Sequence, residues 1–166
     1  MNKLSVAVAI LFVLASAGRA SALSPEEARI IQQAAARYLE STPENNFLVS
    51  PAEVLARIQS GKADYLLVDV RTAKEFKLWH LPGAINIPNR EIATPESIAK
   101  LPRDKELIVY CNSGHESSKV LSVLRILEFR ALGMKWGVMA WRPVPATAAT
   151  LKAIAEGTTA TLPIEQ

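Results

Sequence analysis

One stretch of the chain concentrates reactive chemistry. "VYCNSGHESSKV", residues 109–120, carries the only cysteine of the sequence. Cys111 follows the apolar run Leu107–Tyr110 and precedes small polar residues that lead into a helix-forming segment from about Ser117. A strand, a loop and a helix in that order place Cys111 beyond the carboxyl end of a strand, where parallel sheets bind ligands. Ser113 and Gly114 are small enough to let the loop curl until several backbone N–H groups converge on one point. The helix N-terminus adds about half a positive charge and free donors, so it favours an anion. The thiolate is the form such a cradle stabilises, which makes Cys111 a candidate nucleophile or carrier of bound sulfur. The competing reading is a buried, inert cysteine. Asn112, Ser113, Gly114, His115, Glu116 and Ser117 complete the candidate substrate-binding loop.

The elements that must hold this loop are legible in the spacing of apolar residues and in the cap signals. Ser24-Pro25-Glu26-Glu27, Ser50-Pro51-Ala52-Glu53 and Thr72-Ala73-Lys74-Glu75 each pair an N-cap hydroxyl with a glutamate three residues on, the capping-box pattern. They open a first helix with Ile31, Ala34, Ala35, Tyr38 and Leu39 on its apolar face, a second ending near Ser60-Gly61, and a third stopped before Pro82-Gly83. Phe47–Val49, Tyr65–Val70, Ala84–Ile87 and Leu107–Tyr110 read as short strands. Thr94–Lys100 reads as a short helix, and Ser117–Phe129 as a longer one burying Val120, Leu121, Leu124 and Leu127. Such alternation predicts an α/β fold, a central parallel sheet with helices on both faces. Thr150–Glu156 is a candidate peripheral helix in an Ala- and Thr-rich tail.

Three motifs together carry a family resemblance. "LLVDVRTAKEFKLWHLPGAINIP", Leu66–Pro88, resembles the rhodanese motif in which Asp-x-Arg precedes Glu-Phe and then Gly-His-Ile-Pro-Gly-Ala. "VYCNSGHESS" is similar to the rhodanese active loop, Cys-x-x-Gly-x-Arg-Ser, and "GMKWGVMAW", Gly133–Trp141, resembles the closing Gly-Gly-x-x-Ala-Trp segment. The resemblance covers about Phe47–Trp141. It implies a rhodanese-like domain in which Cys111 takes sulfane sulfur as a persulfide and passes it on. The partners it implies are a small sulfur donor and a thiol or other thiophilic acceptor. It also puts Asp69 and Arg71 at the strand end near the loop, in a supporting hydrogen-bond or ion-pair role. Glu75 is first a capping residue, and His80 a hydrogen bonder at the turn before Pro82. His115 either lends the loop positive charge or faces solvent. Ser117 is a candidate N-cap that also donates to bound sulfur, and Trp141 belongs to the core.

Four positions depart from the family pattern. Glu116 stands where Arg or Thr is usual, and Asn112 where thiosulfate users often carry a basic residue. An acid at the loop rim opposes a dianionic donor, so thiosulfate is expected to be a poor one. Trp79 replaces a small residue before His80, and Trp136 replaces a closing glycine; the two narrow the pocket or fill the core.

Other chemistries fit less well. A phosphatase on this fold needs an arginine six residues past the cysteine, and that residue is Ser117. An arsenate-reductase cycle needs a second thiol. One cysteine and two histidines make no closed zinc set, so no metal and no cofactor are expected. The remaining rival is a rhodanese-like binding or sulfur-sensing module without catalysis.

Residues 1–22 read as a signal peptide: Lys3 near the start, the uncharged run Leu4–Ala17, and Ala20-Ser21-Ala22 as the cleavage site. The run stops at Gly18-Arg19, short of the roughly 18 apolar residues of a membrane span, so no stable membrane insertion of the mature chain is expected. Loss of Lys3 and Arg19 takes the net charge from +3 to about +1, and no basic tract suggests nucleic acid. The expected organisation is residues 23–46 as a helical arm and linker, 47–145 as the domain and 146–166 as a tail, in a periplasmic or secreted protein. The arm either packs on the domain or offers a surface to a protein partner.

Overall fold

The computed structural model describes residues 23–141 and residue 152; the expected signal peptide and nearly all of the tail lie outside them. The strands are β1 (Leu48–Val49), β2 (Tyr65–Asp69), β3 (Ile85–Asn86), β4 (Glu106–Tyr110) and β5 (Ala131–Met134). The helices are α1 (Pro25–Glu40), α2 (Pro51–Ser60), α3 (Ala73–Leu78), α4 (Pro95–Ile98) and α5 (His115–Ile126), followed by a short 3-10 helix, Gly137–Ala140. The strands form one parallel sheet in the order β1-β5-β4-β2-β3. β4, which ends one residue before Cys111, is therefore the middle strand.

The period-two side-chain alternation of a strand divides the core. Leu107 and Val109 of β4 join Val68, Val70, Val120, Leu121 and Leu124 on one face. Ile108 and Tyr110 join Leu67, Val54, Leu81, Met134 and Val138 on the other. Both faces are covered, which is why β4 reads as an unbroken apolar run. Each of these fully buried aliphatic side chains contributes about 1.5–3 kcal/mol of transfer free energy.

The described residues divide into two units, residues 23–33 and those from Ala34 onward. In the first, Ser24 and Glu27 form the expected capping box and Arg29 pairs with Glu26. In the second, the Tyr38 ring stacks on Phe47 with centroids 6.0 Å apart, and its hydroxyl lies 3.2 Å from Ser122 Oγ. The boxes at Ser50/Glu53 and Thr72/Glu75 also form as read.

Several boundaries differ from expectation for local reasons. Phe47 has φ 55, outside the strand region, so β1 starts at Leu48. α5 starts at His115 because Gly114, at φ 100, is its N-cap; Ser117 sits inside the first turn and is not the cap. The helix ends at Ile126, where Leu127 leaves helical geometry and is 40% exposed, not buried. Ile31 and Leu39 of α1 are also exposed. β5 was not expected: "ALGM" has no β-branched residue and a glycine in its middle.

Candidate functional site

β4 delivers Cys111 to the carboxyl end of the sheet, and the loop turns back over its sulfur. The side chain is 2% exposed. Gly114 N–H donates to Sγ at 3.1 Å and Ser117 N–H at 3.4 Å, while the thiol donates to Ser117 Oγ at 3.4 Å. Gly114 makes this possible: a left-handed φ of 100 folds the chain so that its N–H points inward, a conformation other residues avoid. Ser117 Oγ in turn donates to Gly114 O at 3.1 Å, tying helix to loop. Two backbone donors at a helix N-terminus thus meet at one sulfur, an arrangement that stabilises charge on it.

The other loop residues divide by position. Asn112 Nδ2 donates to Glu75 Oε1 at 2.7 Å, so the capping glutamate of α3 also fixes the loop. Burial works to raise the Glu75 pKa, but hydrogen bonds from Thr72 and Asn112 and the charge of Arg71 outweigh it, and the carboxyl lies below its ordinary value. Ser113 Oγ lies 2.9 Å from His115 Nδ1, and His115 is exposed. Glu116 is exposed in the first turn of α5, where it lines a cavity of about 310 Å³ with Asn89, Arg90 and Lys119. It does not line the groove formed by Ser113, Gly114 and His115.

Asp69 and Arg71 form an ion pair, 2.6 Å at its shortest, with both side chains almost fully buried. Arg71 Nη2 also donates to Trp79 O, and its guanidinium lies 4.8 Å from the Trp79 ring centroid and 5.9 Å from that of Tyr110. The pair thereby packs against the residue before Cys111. Burial, with the Asp69 charge beside it, pushes the Tyr110 phenol upward, so it stays protonated while its oxygen accepts from Leu81 N–H at 3.2 Å. His80 Nδ1 lies 2.9 Å from Phe76 O and its ring stacks on Phe76, back toward α3.

The 3-10 helix closes the loop from outside. Val138 N–H donates to Cys111 O at 2.9 Å and Met139 N–H to Asn112 O at 3.0 Å. Gly137 lies so close that a Cβ there would sit 2.2 Å from Cys111 O. These backbone clamps and the second bond of Glu75 were not foreseen from sequence. The closing motif signalled Gly137, whereas the capping-box reading had already accounted for Glu75.

The family model for the rhodanese-like domain matches residues 50–143. This chain belongs to the rhodanese-like family. It is 31% identical over 91 residues to a protein named "Sulfurtransferase" of Allochromatium vinosum, an alignment covering 54% of this chain and 83% of that protein. It is 33% identical over 94 residues to "Probable adenylyltransferase/sulfurtransferase MoeZ" of Mycobacterium tuberculosis, covering 56% of this chain and 24% of that one. This rhodanese-like chain therefore aligns with about a quarter of the mycobacterial protein's length. Among solved structures, BH2092 protein from Bacillus halodurans superimposes with a TM-score of 0.56 at 26% identity, covering 67% of this chain and 80% of that chain.

Proposed function

We infer that this rhodanese-like chain is a sulfurtransferase that carries sulfane sulfur on Cys111. The observation that supports the reading most is the convergence of the Gly114 and Ser117 N–H groups on Sγ at the end of β4. In the first half-reaction the Cys111 thiolate attacks the outer sulfur of a small donor. An Sγ–S bond forms, the donor's S–S bond breaks, and the remainder leaves with the bonding pair, as a thiolate from a persulfide or as sulfite from thiosulfate. In the second, a thiophilic acceptor attacks the outer sulfur and Sγ departs as the thiolate. The two N–H donors stabilise the charge on Sγ at the start and end of the cycle.

Asn112, Glu75 and the 3-10 helix hold the loop in shape, and the Asp69–Arg71 pair supports the strand ends beneath it. Residues 1–22 direct the chain out of the cytoplasm and are removed. Intact mass of the exported protein checks this, and a mass retaining Met1–Ala22 would refute it.

The test of the chemistry is mass spectrometry after exposure to sulfur donors. The wild-type chain should gain one sulfur atom, lost on reduction, and Cys111→Ser should gain none while folding normally. Sulfur uptake by the serine variant would overturn the mechanism. A wild-type chain that gains no sulfur from any donor would instead be a non-catalytic rhodanese-like module.

A further inference from the structure

Beside the cysteine loop lies a groove that sulfur transfer at Cys111 does not itself explain. Leu48, Ser113, Gly114, His115, Lys135 and Trp136 line an open space of about 420 Å³. That volume is in the range of small-molecule sites. Trp136 forms its rim under two unfavourable conditions at once. Its side chain is 62% exposed, and its backbone is left-handed, with φ 58 and ψ 8. An L-residue in that conformation costs about 1–2 kcal/mol, a strain that recurs at functional sites. The residue also abuts the reactive loop: Trp136 N lies 3.7 Å from where a Cβ on Gly114 would be, and Gly114 N–H is the donor closest to Sγ.

Among the described residues, Lys135 carries the one formal charge in the lining of the groove, and Glu116, next to His115 in the chain, lines a separate cavity. The groove lining includes Lys135 and His115 and no carboxylate. Glu53, a carboxylate that the Lys135 charge reaches, is outside the lining and accepts from Ser50 N–H and Oγ as the cap of α2. The N-terminus of α5, starting at His115, adds positive potential on the same side. An aromatic face beside an ammonium group, an imidazole and a helix N-terminus suits a small molecule with an apolar body and an anionic end.

We propose that this groove receives the sulfur acceptor and that the acceptor is a low-molecular-weight thiol bearing a carboxylate. The carboxylate lies toward Lys135 and His115, and the carbon body rests on the Trp136 ring. This inference rests on Cys111 carrying sulfur. The acceptor thiolate attacks the outer sulfur of the Cys111 persulfide, a new S–S bond forms as the Sγ–S bond breaks, and Sγ leaves with the bonding pair. The acceptor departs as its own persulfide.

The experiment loads Cys111 with sulfur, confirms loading by intact mass, and follows discharge to 3-mercaptopropionate and to 2-mercaptoethanol, thiols of similar size with and without a carboxylate. The readout is the ratio of the two second-order rate constants in each variant relative to wild type, which cancels the thiols' intrinsic reactivities. Lys135→Gln should lower that ratio roughly two- to five-fold, the effect of one partly solvated charge pair, and added salt should lower it in the wild type. Trp136→Gly, which suits the backbone conformation, should raise the half-saturating concentration of 3-mercaptopropionate. A wild-type chain that never loads overturns both this inference and the sulfur-carrier reading. A loaded chain whose ratio is unmoved by Lys135→Gln and by salt overturns this inference alone. So does a dependence on Lys135 that is seen with a cysteine-containing peptide run as a third acceptor and with neither small thiol, which would assign the groove to a protein partner.

Discussion

Replacing Gly137 by alanine should cost far more stability than the same change at a glycine of similar backbone geometry. Gly137 has φ 55, and a Cβ there would meet Cys111 O at 2.2 Å and the Asn112 carbonyl carbon and oxygen at 2.8 Å. Those are backbone atoms and cannot rotate away. Relief requires the 3-10 helix to retreat by about 1 Å, the shortfall from ordinary van der Waals contact. That movement breaks the bonds from Val138 N–H to Cys111 O and from Met139 N–H to Asn112 O. Left-handed strain contributes about 1–2 kcal/mol and the two lost bonds about 1 kcal/mol each, so the expected loss is about 3–4 kcal/mol. Gly61 is the control. Its φ is 66 and nothing lies within 4 Å of its added Cβ, so Gly61→Ala carries the strain alone, about 1–2 kcal/mol. Urea unfolding of both variants measures the difference, and sulfur loading of folded Gly137→Ala should slow because the clamp on the cysteine loop is displaced. Equal destabilisation of the two variants would refute the account of the closing segment as a backbone clamp.

Asp69→Ala strands a buried guanidinium and should destabilise by about 3–5 kcal/mol in urea unfolding, with less than about 1 kcal/mol refuting a buried pair. Glu75 has a lowered folded-state pKa, so its stabilising contribution is present above the ordinary carboxylate value of 4.5 and is lost as pH falls through the lower folded value. The gap in stability between wild type and Glu75→Gln should therefore narrow on acidification through that window; a constant gap would refute the assignment. Trp136→Gly should raise stability by up to about 1 kcal/mol by relieving its left-handed backbone, since the exposed ring buries little, and a net loss in urea would show packing not accounted for. Glu116→Arg should raise thiosulfate uptake by no more than about ten-fold, because Glu116 stands in solvent with Arg90 and Lys119 in the same cavity. A larger gain would mean that its carboxylate dominates donor choice.

What sequence alone determined here is what depends on near neighbours. The capping boxes at Ser24, Ser50 and Thr72 involve residues three apart, and all three form as their spacing dictates. The unbroken apolar run of β4 announced a strand covered on both faces, and with it the placement of Cys111 before a helix. The parallel sheet followed from that alternation. Tertiary structure decided whatever depends on residues far apart in the chain. β5 is a strand because Leu107 pairs with Ala131 and Leu48 with Gly133, and Gly133 is small because Leu48 and Leu121 leave a Cβ only 3.1 and 3.3 Å. Its composition, without a β-branched residue, carries no local preference to read. Glu75 looked complete as a cap because nothing nearby in sequence shows Asn112 arriving 37 positions later at its second oxygen. The direction of the Glu116 side chain depends on the rotation of α5 about its axis, which is set by Val120, Leu121 and Leu124 packing on the sheet. Local patterns specify an element and its ends; the side chain that faces the sulfur is chosen by how those elements bury their apolar faces together.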